Sequence, residues 1–220
     1  MDAYAELAVT TNFSFLRGAS HADELVTRAK ELGLTALGIA DRNTVAGVVR
    51  AHTAAKEIGV KFVVGARLVF ADRTPDILAY PHDRAAWGRL TRLLTVGKSR
   101  ADKGECTLFL DDLLEYGGGL NLIVLPPEDI DADALRALLG RLQDASAAWL
   151  GASMLYRGDD QRRLAQLKRT AADAADTTHE PRLFCPKVHM KLKSRLGGRV
   201  RHDRQITTLS SAAGCFYDAA

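Results

Sequence analysis

Apolar and polar positions alternate through Ala5–Val9, which predicts a short strand. A polar loop with Asn12, Ser14, Arg17 and Gly18 follows. Ser20 and Asp23 have the spacing of a capping box. Leu25, Val26, Ala29 and Leu32 then recur at helical spacing, with Gly33 placed to end the helix. Leu37–Ala40 is a short apolar strand that delivers Asp41-Arg42-Asn43 to its carboxyl end, the usual place for ligands in parallel α/β folds. Residues Thr44–Ile58 predict a second helix, lined on one side by Val45, Val48, Val49, Ala55 and Ile58 and stopped by Gly59. Lys61–Val64 reads as a strand broken by Gly65, with Arg67–Ala71 extended beyond it. The turn Asp72–Asp76 holds Pro75, which fixes φ, and Ile77–Tyr80 returns as a strand, so a hairpin is expected.

The same alternation continues. Asp83 caps a helix to about Thr95, with Trp87, Leu90, Leu93 and Leu94 inward. Val96–Thr107 is a basic connector, read as a solvated loop. Leu110–Tyr116 is a short helix ended by Gly117-Gly118-Gly119, a turn that lacks the frame of a phosphate-binding loop. Strand Leu120–Leu125 stops at Pro126-Pro127; helix Ile130–Leu142 follows, then a strand-like run Ala147–Tyr156 and a helix from Asp159 to about Ala174. Strand and helix alternation argues an α/β fold with a mainly parallel sheet. From Ala175 onward neither period persists.

Charge changes this picture only at the end. The net charge is +3, and Ala175–Ala220 carries eight Lys or Arg against four Asp or Glu, so residues 1–174 are close to neutral and show no electrostatic footprint of a DNA groove. Cys106, Cys185 and Cys215 are too few and too scattered for a disulfide framework or a metal knuckle. No apolar run approaches a membrane span, and MDAYAELAV has no signal-peptide pattern, so a cytoplasmic protein with no membrane partner is expected. His21, His52 and His82 have no partner at ligand spacing, and His179, His189 and His202 lie in the irregular tail.

The order of motifs resembles the N-terminal PHP (polymerase and histidinol phosphatase) domain of bacterial C-family DNA polymerases, the replicase α-subunit family. That family typically reads H-x-H-S-x-Y-S-x-L-x-G at the first strand and T-D-H-x-N at the second. Here the positions read Ala8-Val9-Thr10-Thr11-Asn12-Phe13-Ser14-Phe15-Leu16-Arg17-Gly18 and Ala40-Asp41-Arg42-Asn43. NFSFLRGASH and ADRNTVAGVVRAH look most like the error-prone, damage-tolerance branch. The resemblance spans about Tyr4 to Ala174 and implies an incomplete distorted (β/α)-barrel, residues 1–174, followed by a basic tail, residues 175–220. The tail reads as a frameshifted or truncated gene product, or as a disordered basic extension.

An active PHP site holds up to three divalent metals with His, Asp, Glu and Cys. By the resemblance, Ala8 and Thr10 replace the H-x-H pair, Arg42 replaces the histidine after the aspartate, and Arg67 replaces the glutamate of a G-x-E strand; Asp41 is retained. One carboxylate between arginines cannot hold a metal cluster, so no catalytic residue and no cofactor is assigned to this chain. Asp41, Arg42 and Arg67 are expected to form a structural ion pair in place of the metals. The resemblance implies a non-catalytic N-terminal fragment of an error-prone polymerase. The full-length enzyme would need Mg²⁺ and would meet DNA and dNTPs through palm-type domains beyond this chain, alongside other damage-tolerance proteins. Two alternatives from other classes are a metal-dependent phosphoesterase or proofreading nuclease, against which the lost ligands argue, and a nucleic-acid-binding module using the basic tail.

Overall fold

In the computed structural model, residues 4–153, 155–174 and 183–184 are described. Strands are β1 (Ala5–Val9), β2 (Ala36–Arg42), β3 (Lys61–Leu68), β4 (Ile77–Pro81), β5 (Leu120–Val124), β6 (Ala147–Gly151) and β7 (Leu183–Phe184). Helices are α1 (Ala22–Glu31), α2 (Val48–Ile58), α3 (Arg84–Ser99), α4 (Leu110–Tyr116), α5 (Ala132–Gln143) and α6 (Asp160–Ala174). The strands lie in sequence order in one sheet, β1 through β7, curled into a half-barrel. Pairing is parallel except where β4 meets β3 and β5: the short turn after β3 leaves no room for a crossover helix and reverses β4, while β5, after α3 and α4, runs in the original direction. The tail pattern predicts no element, yet Leu183–Phe184 adds β7 parallel to β6. The reading of the rest of the tail lies outside the described residues.

The helices cover one side of the sheet. Leu25, Val26 and Ala29 of α1 and Ala51, Ala54 and Ala55 of α2 pack on Val9, Leu37 and Ile39. Helices α3 to α6 bury a larger cluster around Leu90, Leu93, Leu113, Leu138 and Leu167, against Ala66, Ile77, Leu122 and Leu150. The inner side of the curl carries a smaller cluster of Leu7, Ala40, Leu78, Tyr80, Ile123 and Trp149.

Several local expectations change: α3 runs on to Ser99, into the stretch expected to be a solvated connector, and α2 starts at Val48, not Thr44. The first helix starts one residue later than the sequence spacing predicts: His21 is its N-cap residue, and Glu24 accepts the His21 N–H at 3.0 Å, in place of a Ser20–Asp23 box. In α2, Val49 is exposed because the buried stripe runs through Val48, Ala51, Ala54 and Ala55. Gly65 does not break β3. A Cβ there would lie 2.4 Å from the Tyr80 ring, so glycine is what lets that ring cross the strand on the inner side.

Candidate functional site

The carboxyl ends of β1, β2 and β3 bring all five expected positions together, but the pleat sorts them onto two sides. Successive side chains on a strand point to opposite faces. On β2, Leu37 and Ile39 belong to the helix-side core and Ala40 to the inner cluster. Asp41 therefore falls on the helix side and Arg42 on the inner side. On β3, Ala66 and Leu68 are helix-side, which places Arg67 inward. The register pairs Asp41 with Ala66 and Arg42 with Arg67. The expected Asp41–Arg42–Arg67 ion pair does not form, because the carboxylate sits on the face opposite both guanidiniums.

Asp41 instead organises the loop after β1. It is 1% exposed. Its Oδ1 accepts the Thr11 N–H at 2.8 Å and the Ser14 hydroxyl at 2.7 Å; its Oδ2 accepts the Thr11 hydroxyl at 2.7 Å. Ser14 Oγ in turn accepts the Arg42 N–H at 2.9 Å, and Thr11 Oγ1 accepts the Phe13 N–H at 3.1 Å. A buried carboxylate with three charge-assisted bonds needs no cation to be satisfied. Gly18 closes this loop so tightly that a Cβ would lie 2.2 Å from the Thr11 carbonyl oxygen.

Arg67 bonds Asp76 across the hairpin, Nε to Oδ2 at 2.7 Å, and Arg42 is exposed. Asn43, in the left-handed region at φ 49°, locks the two strand ends together. Its N–H donates to the Arg67 carbonyl at 2.9 Å, its Nδ2 to the Val69 carbonyl at 3.1 Å, and its Oδ1 accepts the Val69 N–H at 2.8 Å.

Below these ends lie two buried polar groups that sequence periodicity did not single out. Glu6 Oε1 accepts the Ala8 N–H at 3.0 Å and its Oε2 accepts the Tyr4 hydroxyl at 2.8 Å. Burial pushes the Glu6 carboxyl above its ordinary range, and those hydrogen bonds oppose the rise only in part. The Tyr80 hydroxyl donates to the Leu7 carbonyl; burial, reinforced by the Glu6 charge, pushes the phenol far above its ordinary value. Both residues sit in otherwise apolar strand patterns, and the only sequence signal is the large ring of Tyr80 opposite Gly65 on a neighbouring strand.

Chemically, the strand ends offer two guanidiniums, an alanine and a threonine where a metal cluster needs imidazoles and carboxylates. No three His, Cys, Asp or Glu among the described residues are placed to hold a metal ion. His52 and His82 are exposed, and His21 Nδ1 lies 3.4 Å from Arg50 at the edge of α2. His179, His189 and His202 lie outside the described residues. The donor set does not fit the trinuclear centre of active PHP enzymes.

A half-barrel of this order, with its motif-bearing loops at the carboxyl ends of β1 to β3, defines the class: the chain belongs to the PHP domain family, whose family model matches residues 6–177. Among individual proteins, it is 56% identical over 178 residues to an error-prone DNA polymerase of Rhodopseudomonas palustris strain BisB5, a match covering 77% of this chain and 16% of that relative. An error-prone DNA polymerase of Caulobacter vibrioides is 52% identical over 168 residues, covering 75% of this chain and 15% of the relative. The match lies in the N-terminal region of these polymerases, so the chain spans about one-sixth of the curated relatives' length. Among solved structures, a protein described as a metal-dependent phosphoesterase from Bifidobacterium adolescentis aligns with TM-score 0.56 at 16% identity, over 78% of this chain and 84% of its own. An amidohydrolase from Chromobacterium violaceum aligns with TM-score 0.54 at 17% identity, over 76% and 84% of the two chains. These two likenesses speak to the fold.

Proposed function

We propose that this chain acts as the N-terminal PHP module of an error-prone DNA polymerase and performs no hydrolysis itself. The observation that carries the reading is the combination of 56% identity to such a polymerase with arginines, alanine and threonine at the strand-end positions where hydrolytic relatives need metal ligands. The module supplies structure and contact surface. The polymerase as a whole would extend primers on damaged DNA, drawing on Mg²⁺, dNTPs and template through other domains, in the cytoplasm.

A chimera tests this directly. Residues 6–177 of this chain replace the matched segment of the Rhodopseudomonas palustris polymerase, and primer extension across an abasic site is measured. Extension at the parent rate is expected. A soluble chimera that cannot extend even an undamaged primer would show that the segment is not an interchangeable module of that enzyme.

A further inference from the structure

Toward the amino end of β3 the sheet is split. β3 pairs with β2 along Lys61–Arg67, and β4 pairs with β5 along Ile77–Pro81. Between β3 and β4, however, pairing spans only Ala66–Leu68 against Ile77–Ala79. Tyr80, next in line, lays its ring where a Cβ of Gly65 would be, and the pairing goes no further. A cleft of about 450 Å³ opens there, with Lys61–Val64 on one side and Tyr80–Asp83 on the other. Its effect shows in β3: Phe62, Val63 and Val64 are only half-buried in an internal strand, while their β2 partners Leu37, Gly38 and Ile39 are buried.

The cleft has three chemically distinct parts. Phe62, Val64 and Trp87 give it apolar walls. Asn121 of β5 lines it too, is 8% exposed, and makes no side-chain hydrogen bond among the described residues. A buried amide normally has a partner, and this one holds both a donor and an acceptor toward whatever enters. The charged and titratable groups of the rim are Lys61, His82, Asp83 and Arg84. Asp83 is committed to the start of α3, where Oδ1 accepts the Ala86 N–H at 2.7 Å. Arg84 is exposed and forms no ion pair among the described residues, which leaves a guanidinium available at the rim.

We propose that this cleft binds a purine nucleoside monophosphate, with the base against the apolar walls, its edge on the Asn121 amide and its phosphate on Arg84. A largely apolar cleft with a few convergent polar groups is the usual form of a small-molecule site. A purine brings flat apolar faces for Phe62 and Trp87. Adenine N6 and N7 are an adjacent donor and acceptor, the pair that an asparagine amide meets with two hydrogen bonds. A phosphate supplies the anion that the Arg84 guanidinium lacks. The cleft lies away from the carboxyl ends of β1 to β3, so this binding is separate from the Asp41 platform.

Calorimetric titration of the 220-residue chain with AMP, adenosine and ribose 5-phosphate reads the parts of the site separately. AMP should bind saturably, one molecule per chain, and both fragments more weakly. Asn121→Leu keeps the bulk of the side chain and removes the amide; it should weaken AMP and adenosine alike by about tenfold or more. Its thermal midpoint should stay at or above the parent value, because no protein hydrogen bond is lost. Arg84→Glu, at an exposed position, should weaken AMP and leave adenosine unchanged. No saturable AMP binding at millimolar concentration overturns the proposal. So does parent affinity in Asn121→Leu, which would put the nucleotide elsewhere. A clear fall in the Asn121→Leu midpoint overturns it as well, since the amide would then serve the fold. An oligoadenylate that binds far more tightly than AMP overturns it in favour of a nucleic-acid strand.

Discussion

At the scale of single residues, the account turns on Asp41. The sequence shows an aspartate followed by Arg42, with Arg67 at the end of the next strand, and a charge pair is the natural reading of that text. The pleat decides otherwise, since residues adjacent in sequence on a strand cannot share a face. Removing the carboxylate orphans the Thr11 N–H and two hydroxyls in a buried place. Each such donor costs about 1–3 kcal/mol, so Asp41→Ala should lose about 3 kcal/mol or more in urea denaturation. Asp41→Asn keeps an acceptor at Oδ1 and places an amide where it can donate to Thr11 Oγ1; it should lose only about 1 kcal/mol. Equal losses from the two variants would mean that charge, not hydrogen-bond geometry, is what Asp41 supplies. Glu6 makes a second residue-scale prediction. Its folded pKa is raised, so the folded state holds the proton longer than the unfolded chain does. Stability attributable to Glu6 is therefore greatest below its unfolded pKa and declines as pH rises toward the raised value. Glu6→Gln should remove that decline. Denaturation midpoints from pH 4 to pH 7 check it, and parallel profiles for parent and variant would contradict it.

Among the elements, most of the fold is legible in periodicity. Helices α3, α4 and α5 fall within a few residues of where apolar spacing and the cap at Asp83 put them. The hairpin between β3 and β4 follows from the Pro75 turn. Errors cluster where a residue answers to tertiary contact and not to its own segment. Gly65 reads as a breaker because glycine weakens an isolated strand, yet the strand continues because the Tyr80 ring lies where a Cβ would be. Gly65→Ala should then cost about 1–3 kcal/mol as overpacking, measured by thermal or chemical unfolding. A neutral or stabilising outcome would show that the ring has room to move aside. Val49 is a similar case. Helical spacing places it near the buried stripe, but α2 turns its small alanines to α1 and leaves Val49 exposed.

For the whole molecule, the family was legible because motif order and spacing survive where the ligand chemistry does not. The positions Ala8, Thr10, Arg42 and Arg67 could be found through the resemblance to the family's motifs, but which sides of the sheet they share could not, since that depends on strand register. What remains at the carboxyl ends of β1 to β3 is a hydrogen-bonded platform: Asp41 beneath the first loop, Asn43 across two strand ends, and Arg67 tied to Asp76. That platform displays a loop and holds no set of metal donors. The claim is tested most directly by titrating the purified 220-residue chain with Mn²⁺ and Zn²⁺ in a calorimeter while following phosphoester hydrolysis in the same samples. The account predicts no stoichiometric metal binding and no metal-dependent hydrolysis. Two or more metal ions bound per chain, with hydrolysis that rises as they bind, would contradict it.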